Sequence, residues 1–237
     1  MQTRRQKVRQ AAIDEIKSLA WDIANKKGLE AVTINAITNR MGMTSPAFYS
    51  YFKSRDALMR SLLFDTYDLY QKTMETARDS ISEENVGDRI MILLLTYRKW
   101  AVTHPAAFSF FAGRLTPGFY PPDEKIVKMS EKAFFIWQSA FYKAWEKGVL
   151  ELSDHVLKLP KLYKMELKKF SDNLNMKIPT ELIHIIIHFP ILAHGLVSIE
   201  LTGRYGYLID FGQLYKQKII HELKQIGIEP NLTSLKL

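Results

Sequence analysis

Apolar residues recur along this chain three or four positions apart, which is the spacing of one face of an α-helix. In the N-terminal stretch, Val8, Ala12, Ile16, Leu19 and Ile23 all fall on such a face. No window alternates apolar and polar residues in the way that strands joined by tight turns do. The pattern therefore predicts an all-α protein.

Glycine, proline and capping residues divide this pattern into separate helices. Gly28 and Gly148 are placed to end long helices, and Pro105 is placed to open a short one. Ser45 and Asp123 are placed as N-caps of two further helices. Pro190 is expected to kink the apolar helix that contains it. The pattern predicts helices over residues 6–27, 33–41, 45–53, 54–80, 88–103, 106–112, 123–147, 161–174, 180–202 and 210–225, and it predicts a loop over 116–122.

These lengths predict a chain in two parts. Three helices make a small N-terminal domain, residues 1–55, and the remaining helices make a larger helical domain, residues 56–237. A long helix that begins at Ser54 joins the two parts, and 237 residues are ample for packed cores.

Composition excludes several classes of protein. Hydrophobic residues make up 47% and charged residues 24% of the chain, which excludes bulk disorder and collagen. The lack of cysteine excludes disulfides and thiolate metal sites and fits a reducing compartment, so we expect a cytoplasmic protein. The basic N-terminus leads to Asp14 and Glu15 rather than to an apolar run, so no cleaved signal peptide is expected.

Residues 182–201 are apolar enough to pass for a membrane span. The stretch also holds His184, His188, His194 and Glu200, and such groups are costly in lipid. It therefore predicts a buried core helix, and no membrane partner is expected.

Positive charge is concentrated near the N-terminus. Residues 1–60 contain 11 Lys and Arg against five Asp and Glu, a net charge of +6, whereas the whole chain carries +8. A local basic patch is typical of a protein that binds a polyanion such as nucleic acid. The alternative is an ordinary solvated face in which lysine serves solubility.

The stretch from Thr33 to Leu58 has the layout of a helix-turn-helix, with Gly42 where the tight turn requires a positive φ. The second of its two helices is too short to be stable alone, so Phe48 and Phe52 must dock it on its neighbours. The other face carries small or hydrogen-bonding side chains that suit a DNA major groove, and it lacks the titratable cluster of a catalytic surface. These side chains are Thr44, Ser45, Ala47, Tyr49 and Tyr51.

Two cations follow this short helix directly. Arg55 stands at a predicted helix start, where a cation opposes the helix dipole unless an anion such as a DNA phosphate lies there. Lys53 is placed to contact the same backbone. The alternative is an ordinary exposed arginine that Asp56 partly compensates.

Residues 33–58 resemble the DNA-binding domain of the tetracycline-repressor (TetR) family. The resemblance is carried by Thr33, Gly42, the Ser45-Pro46-Ala47 helix start, the aromatic residues around Tyr49, and Lys53-Ser54-Arg55-Asp56 with Leu58. Segments 100–108 and 194–201 are similar to a TetR C-terminal variety named for a Trp-His-Gly signature. The resemblance implies these DNA-facing residues: Thr33, Asn35, Thr44, Ser45, Pro46, Ala47, Tyr49, Tyr51, Lys53 and Arg55.

Within this set we assign two kinds of contact. Phosphate contacts are predicted for Thr44, Tyr49, Lys53 and Arg55. Contacts to base edges are predicted for Asn35, Ser45, Ala47 and Tyr51.

The predicted second domain is rich in aromatic residues. Trp137, Phe141 and Trp145 are four apart on one helical face, which is typical of a core stripe. TetR-like proteins generally have an apolar effector pocket, so the same residues are also candidates to line one. The candidate ligand-binding residues are Trp100, His104, Phe108, Phe111, Trp137, Phe141 and His188.

His184 and His188 have the i, i+4 spacing of two metal ligands on a helix. No HExxH glutamate accompanies them and no third ligand stands at a forced position, so we interpret them as core or interface histidines. No metal and no cofactor is expected, and the chain has no P-loop, GxGxxG or GxSxG motif.

Helix 180–202 is apolar nearly all round, and together with the last helix it is the predicted homodimer interface. The predicted function is that of a DNA-binding transcriptional regulator, a repressor that a small-molecule effector releases from operator DNA, and not an enzyme. Two alternatives remain open: a ligand-blind or architectural DNA-binding protein, and a metal-dependent enzyme that uses His184 and His188.

Overall fold

A computed structural model describes residues 3–111, 124–152, 158–173 and 178–231. These residues form α-helices and contain no strand, which confirms the predicted all-α class. The α-helices within the described ranges are α1 (Arg4–Lys27), α2 (Ile34–Met41), α3 (Ser45–Tyr49), α4 (Arg55–Asp79), α5 (Val86–Thr103), α6 (Pro105–Phe111), α7 (Glu124–Glu146), α8 (Lys161–Asn173), α9 (Thr180–Leu201) and α10 (Phe211–Gln225), and a short 3-10 helix, Leu29–Ala31, follows α1.

Helix ends lie close to their predicted positions where capping chemistry is local. Helix α1 begins two residues earlier than the apolar spacing indicates, because Thr3 and Gln6 form a reciprocal capping box. Asp210 caps α10 by accepting hydrogen bonds from the backbone N–H groups of Gly212 and Gln213. The predicted loop at 116–122 and the predicted cap Asp123 lie outside the described residues.

Helix α3 differs from its prediction at both ends. Its N-cap is Thr44, not Ser45, because the Thr44 side chain accepts a hydrogen bond from the backbone N–H of Ala47. Pro46 then lies in the first turn, where the missing N–H costs nothing. The helix ends at Tyr49 rather than near residue 53, so it contains only 5 residues.

The chain divides into two compact units. Unit 1 consists of residues 1–69 with 103–130, and unit 2 of residues 70–102 with 131–237. Helices α4 and α7 contribute residues to both units. The boundary predicted at residue 55 separates expected functions rather than compact units, and it stays a prediction.

Unit 1 has its own hydrophobic core. Side chains from α1, α2, α3 and the start of α4 meet there, and α6 adds Phe110. Burial of one such aliphatic or aromatic side chain contributes about 1.5–3 kcal/mol. Fully buried members of this core are Ile16, Ala20, Val32, Ile37, Phe48, Leu58 and Leu62.

Unit 2 has a core of aromatic rings joined by hydrogen bonds. The indole N–H of Trp137 donates to the hydroxyl of Tyr70 at 2.9 Å, and the hydroxyl of Tyr215 donates to the backbone carbonyl of Leu94 at 2.7 Å. The rings of Phe141 and Phe189 stack with centroids 4.9 Å apart. Burial raises the pKa of the Tyr215 hydroxyl, which therefore stays neutral and able to donate.

Helix α9 is long and apolar enough to cross a membrane by length and composition alone. Its polar side chains nevertheless have partners on other helices of unit 2. Glu200 accepts two hydrogen bonds from the guanidinium of Arg98, and Glu181 pairs with Lys164 at 2.6 Å. These ion pairs favour a packed helix, and α9 continues through Pro190.

Candidate nucleic-acid interface

Helices α2 and α3 are joined by a tight turn at Gly42. The glycine adopts φ 62° and ψ 28°, the left-handed region that costs a residue with a Cβ more than it costs glycine. The backbone N–H of Met43 then bonds to the carbonyl of Thr38 at 3.1 Å, which closes the C-terminal end of α2 two residues before α3 begins. This turn brings α3 against α2, as the helix-turn-helix prediction requires.

Helix α3 buries one face and exposes the other. Phe48 is fully buried, and its ring lies 6.0 Å from that of Phe52. The neighbouring Tyr49 side chain is 50% exposed. Thr44 and Pro46 are also exposed, whereas Ser45 and Ala47 are half-buried. The outward face is therefore small and polar, with one phenol.

Helix α2 presents two further predicted DNA-facing residues in its first turn. Thr33 is the N-cap of α2, and its hydroxyl oxygen accepts a hydrogen bond from the backbone N–H of Ala36 at 3.1 Å. The cap leaves the hydroxyl proton of Thr33 for a partner such as a phosphate oxygen. Asn35 follows in the same turn and is exposed.

Arg9 of α1 holds the end of α3 in place, a role that the sequence pattern did not predict. Its guanidinium donates to the backbone carbonyl of Ser50 at 2.9 Å and lies 5.3 Å from the centroid of the Tyr51 ring. Tyr51 is half-buried, because its ring packs against the core of unit 1 and also lies beneath this cation. The signal was present in the sequence, because Arg9 shares a helical face with Ile16 and Ala20.

Arg55 makes contacts that differ from those expected. Its Nε donates to the backbone carbonyl of Val32 at 2.5 Å, and its Nη2 donates to that of Leu29 at 3.1 Å. The side chain thus ties the start of α4 to the turn before α2 and satisfies carbonyl groups there. Its contact with a DNA phosphate stays a prediction, whereas the neighbouring Lys53 is exposed.

Several cations that raise the local charge hold helices together. Arg40 of α2 pairs with Asp22 of α1 at 2.5 Å, and Lys26 joins the same carboxylate at 2.7 Å. Hydrogen bonds from these two cations lower the pKa of Asp22. Lys17 pairs with Asp65 at 2.8 Å and links α1 to α4. Net charge alone therefore overstates how many cations face a partner.

The predicted ligand-binding residues have several different environments. Trp100, Trp137 and Phe141 are buried and contribute to the core of unit 2, in line with the core-stripe interpretation. In unit 1, Phe108 is buried, and the ring of Phe111 lies 5.2 Å from that of Tyr67.

His104 is exposed and lines a cavity of about 210 Å³ in unit 1. Trp21, Asp65 and Leu69 line the same cavity. His104 is thus the one member of the predicted ligand set at this cavity, and its role in binding stays a prediction.

The histidine pair of α9 engages neighbouring side chains. The Nδ1 of His184 lies 3.2 Å from the hydroxyl of Tyr163, and the Nε2 of His188 lies 3.3 Å from a carboxylate oxygen of Glu222. Burial, and then the charge of His188, lowers the pKa of His184. Within the described ranges, no group of three His, Asp or Glu residues is placed to hold a metal ion.

The stability of unit 2 is expected to fall in mild acid because of half-buried histidines. His194 lies 2.8 Å from the hydroxyl of Tyr97, and burial lowers its pKa below the ordinary value of 6.5. Protonation of His194 therefore favours the unfolded chain. The stabilisation that depends on the neutral ring is complete at pH values above the ordinary pKa and is lost as the pH falls below that pKa. Urea unfolding at about pH 7.5 and about pH 5.5 should show the loss.

The His194→Gln variant isolates the contribution of this ring. It should lose a smaller part of its free energy of unfolding than the parent protein does over the same pH interval. An equal loss in both proteins would assign the pH dependence to other groups.

The short helix α3 has an exposed polar face and packs on α1 and α2 in a basic segment. This arrangement is that of a helix-turn-helix DNA-binding protein. Sequence comparison agrees with this class. Residues 16–62 match the family described as bacterial regulatory proteins, tetR family, and residues 90–219 match the tetracyclin repressor-like C-terminal domain. The chain belongs to the TetR family. Both segments that resemble the Trp-His-Gly variety lie within the second match.

Individual relatives are consistent with the family. The HTH-type transcriptional regulator Rv1816 of Mycobacterium tuberculosis is 25% identical over 209 residues, which cover 86% of this chain and 88% of that protein. The crystal structure of SCO4313 superposes with a TM-score of 0.74 at 26% identity and covers 94% of this chain and 98% of its own.

A more distant structure has the same fold. The ketosteroid transcriptional regulator KstR2 of Mycobacterium tuberculosis superposes with a TM-score of 0.62 at 17% identity, covering 92% of this chain and 96% of its own. The protein is therefore a transcriptional regulator of the TetR family with a helix-turn-helix DNA-binding domain.

Proposed function

We propose that the protein is a cytoplasmic, homodimeric repressor that reads operator DNA with α3 and leaves it when a small molecule binds. The observation that carries this proposal is the two-faced α3, which exposes Tyr49 beside a buried Phe48. A five-residue helix serves as a reading element only if something else supplies its stability, and the core of unit 1 supplies it.

The contacts with DNA divide into positioning and reading. Tyr49, Thr44 and Lys53 are exposed and reach phosphates, which fix the register of the protein on the duplex. The residues that contact base edges lie in the first turns of α2 and α3 and just beyond α3. They are Asn35, Ser45, Ala47 and Tyr51. Arg55 acts from its bridge to the carbonyls of Leu29 and Val32 and adds positive charge at the start of α4.

The Tyr49→Phe variant tests the phosphate contact. Loss of one hydroxyl should weaken binding by about three- to tenfold, because a hydrogen bond contributes roughly 0.5–1.5 kcal/mol, or somewhat more to a charged partner. Fluorescence anisotropy should show the same loss on the operator and on unrelated duplex DNA.

Tyr207→Phe is the matched control, since it removes an exposed hydroxyl from unit 2. It should leave both affinities unchanged. A loss in the Tyr49 variant that is confined to one base-pair position would contradict a phosphate role and assign the hydroxyl to base reading.

We infer the dimer from an uncovered apolar stripe on α9. Only 39% of the most apolar 18-residue stretch of this helix is buried within the chain. Ile191 is 66% exposed and Ile199 is also exposed. Between them, a Cβ on Gly195 would meet no atom within 4 Å apart from its chain neighbours and the backbone of its own helix. Residues spaced by four form one ridge, and a small residue at its centre allows a second helix to approach closely. A two-fold partner would cover this stripe and pair two reading helices on a pseudo-palindrome.

The Ile191→Glu variant is expected to be monomeric at micromolar concentration, because a carboxylate on this stripe would be buried unpaired in the dimer. Sedimentation velocity measures the mass. Leu162→Glu on α8 provides the control, since Leu162 is also exposed and its replacement should leave the dimer intact. A dimeric Ile191→Glu protein would place the interface elsewhere.

Release by an effector requires a helix or segment with two alternative positions, and ligand binding in unit 2 must favour one of them. Helix α4 meets this need, since residues 55–69 belong to unit 1 and residues 70–79 to unit 2. A shift of this helix would change the spacing of the two reading heads, and couplings of this kind amount to about 1–3 kcal/mol.

Footprinting on DNA upstream of the gene, with and without cell extract, tests release. A footprint that no extract alters would favour the ligand-blind alternative.

A further inference from the structure

A cavity of about 300 Å³ lies within unit 2, where the end of α4, the following loop, the start of α5 and the middle of α7 meet. Its apolar walls come from Val86, Ala140 and Phe135. Its polar atoms come from three cations, two carboxylates and one hydroxyl. The charged and polar lining residues are Arg78, Arg89, Lys143, Asp79, Glu83 and Ser139.

The three cations differ in how well they are paired. Arg78 makes two hydrogen bonds to Asp79, at 2.8 and 3.1 Å, so its charge is well balanced. Arg89 and Lys143 instead share the carboxylate of Glu83, at 3.6 and 3.8 Å. Charge-assisted hydrogen bonds to a carboxylate are normally about 2.7–2.9 Å long. The carboxylate that these two cations share is therefore distant, and Asp79, which is bonded to Arg78, attracts them only at longer range.

The counter-ion is loosely placed, whereas Arg89 is fixed. The side chain of Glu83 is 72% exposed, and that of Arg89 is only 10% exposed. The Nε of Arg89 donates to the backbone carbonyl of Ile81 at 2.9 Å, which orients the guanidinium. A guanidinium that is buried and oriented in advance binds an anion without a further loss of side-chain entropy.

We propose that this cavity binds a small organic anion. Its carboxylate or phosphate displaces Glu83 and pairs with Arg89 and Lys143, and its apolar body lies on Phe135, which is 58% exposed. A volume near 300 Å³ is at the small end of ligand sites, and apolar walls with a few charged groups are their usual lining. The proposal rests on the proposed function, because this anion is then the class of the effector.

Calorimetric titration of the purified full-length protein without DNA tests the site directly. The probes are 2-naphthoate, 2-naphthyl phosphate and 2-naphthamide, which share a ring system and differ in charge. Binding of one anion, or of both, and a tenfold or greater weakening for the neutral amide support the proposal. The tighter of the two anions identifies the head group. Absence of heat with both anions at millimolar concentration, or equal binding of the amide, would overturn it.

Three variants locate the binding by effects of opposite sign. Glu83→Gln should tighten binding of the better anion, because the competing carboxylate is gone. Lys143→Gln should weaken it by roughly fivefold, about the largest effect of an exposed charge pair. Phe135→Ala should also weaken it, through loss of the apolar platform. Lys132→Gln, an equal charge change on the same helix outside the cavity lining, is the control and should change nothing.

If Glu83→Gln and Lys143→Gln leave the dissociation constant unchanged, the anion binds elsewhere and the assignment is wrong. Release of operator DNA is measured separately, by anisotropy with the better anion. Binding that follows the variants but does not weaken operator affinity would preserve the site and refute its effector role.

Discussion

Replacing Phe48 with alanine is expected to unfold the helix-turn-helix and abolish operator binding. The side chain is fully buried, and it is the anchor by which the five-residue α3 docks on α1 and α2. Truncation of a buried phenylalanine costs about 3–5 kcal/mol, which is a large part of the stability of a typical domain. Urea unfolding followed by circular dichroism measures the loss, and anisotropy measures DNA binding.

Two variants separate folding from recognition in this experiment. Phe48→Leu keeps most of the apolar volume and should cost less than about 2 kcal/mol, with DNA binding retained. Tyr49→Ala changes the exposed neighbour and should cost little stability while it weakens DNA binding. If Phe48→Ala retained native stability and affinity, Phe48 would not be the anchor of α3.

Replacing Trp137 with alanine is expected to destabilise unit 2 by about 3–5 kcal/mol. The indole is buried, and its N–H donates to the Tyr70 hydroxyl at 2.9 Å. The indole also lies edge-on to the ring of Tyr97, with the ring centroids 5.8 Å apart. Its loss leaves a cavity among aromatic rings and removes the donor that the Tyr70 hydroxyl accepts from. Denaturant unfolding gives the free energy, and near-ultraviolet circular dichroism reports the ring packing.

Trp137→Phe is the matched control, because it keeps most of the ring burial and removes only the indole N–H. We expect it to cost roughly 1–2 kcal/mol, the range for a lost buried hydrogen bond with some lost volume. The outcome also decides between the two interpretations of the aromatic stripe. If Trp137→Ala cost under about 1 kcal/mol, the stripe would line a ligand pocket rather than a core.

The helix-turn-helix could be located from the sequence because its determinants are local. Gly42 supplies the positive φ of the turn, and Thr33 and Thr44 cap helices through bonds to N–H groups three residues on. The apolar spacing of Phe48 and Phe52 indicated which face is buried. The one-residue error in the α3 cap has a local cause as well, because Thr44 and Ser45 are both capable caps.

Roles that depend on distant partners could not be read in this way. Arg55 finds its carbonyl acceptors 23 and 26 positions earlier, and Arg9 finds its acceptor 41 positions later. The weakly paired Arg89 and Lys143 meet only because α5 and α7 pack in unit 2. Likewise, only packing put Trp137 on Tyr70 and left His104 exposed.

The amino-acid order by itself determined the helices, the turn at Gly42 and the outward face of α3, since these follow from hydrogen bonds and side-chain spacing within a few residues. The tertiary structure alone decided which cations stabilise the fold, which aromatic rings form a core and where a cavity with a loosely held counter-ion remains. Those outcomes depend on which surfaces meet across long stretches of chain, and periodicity does not encode that pairing.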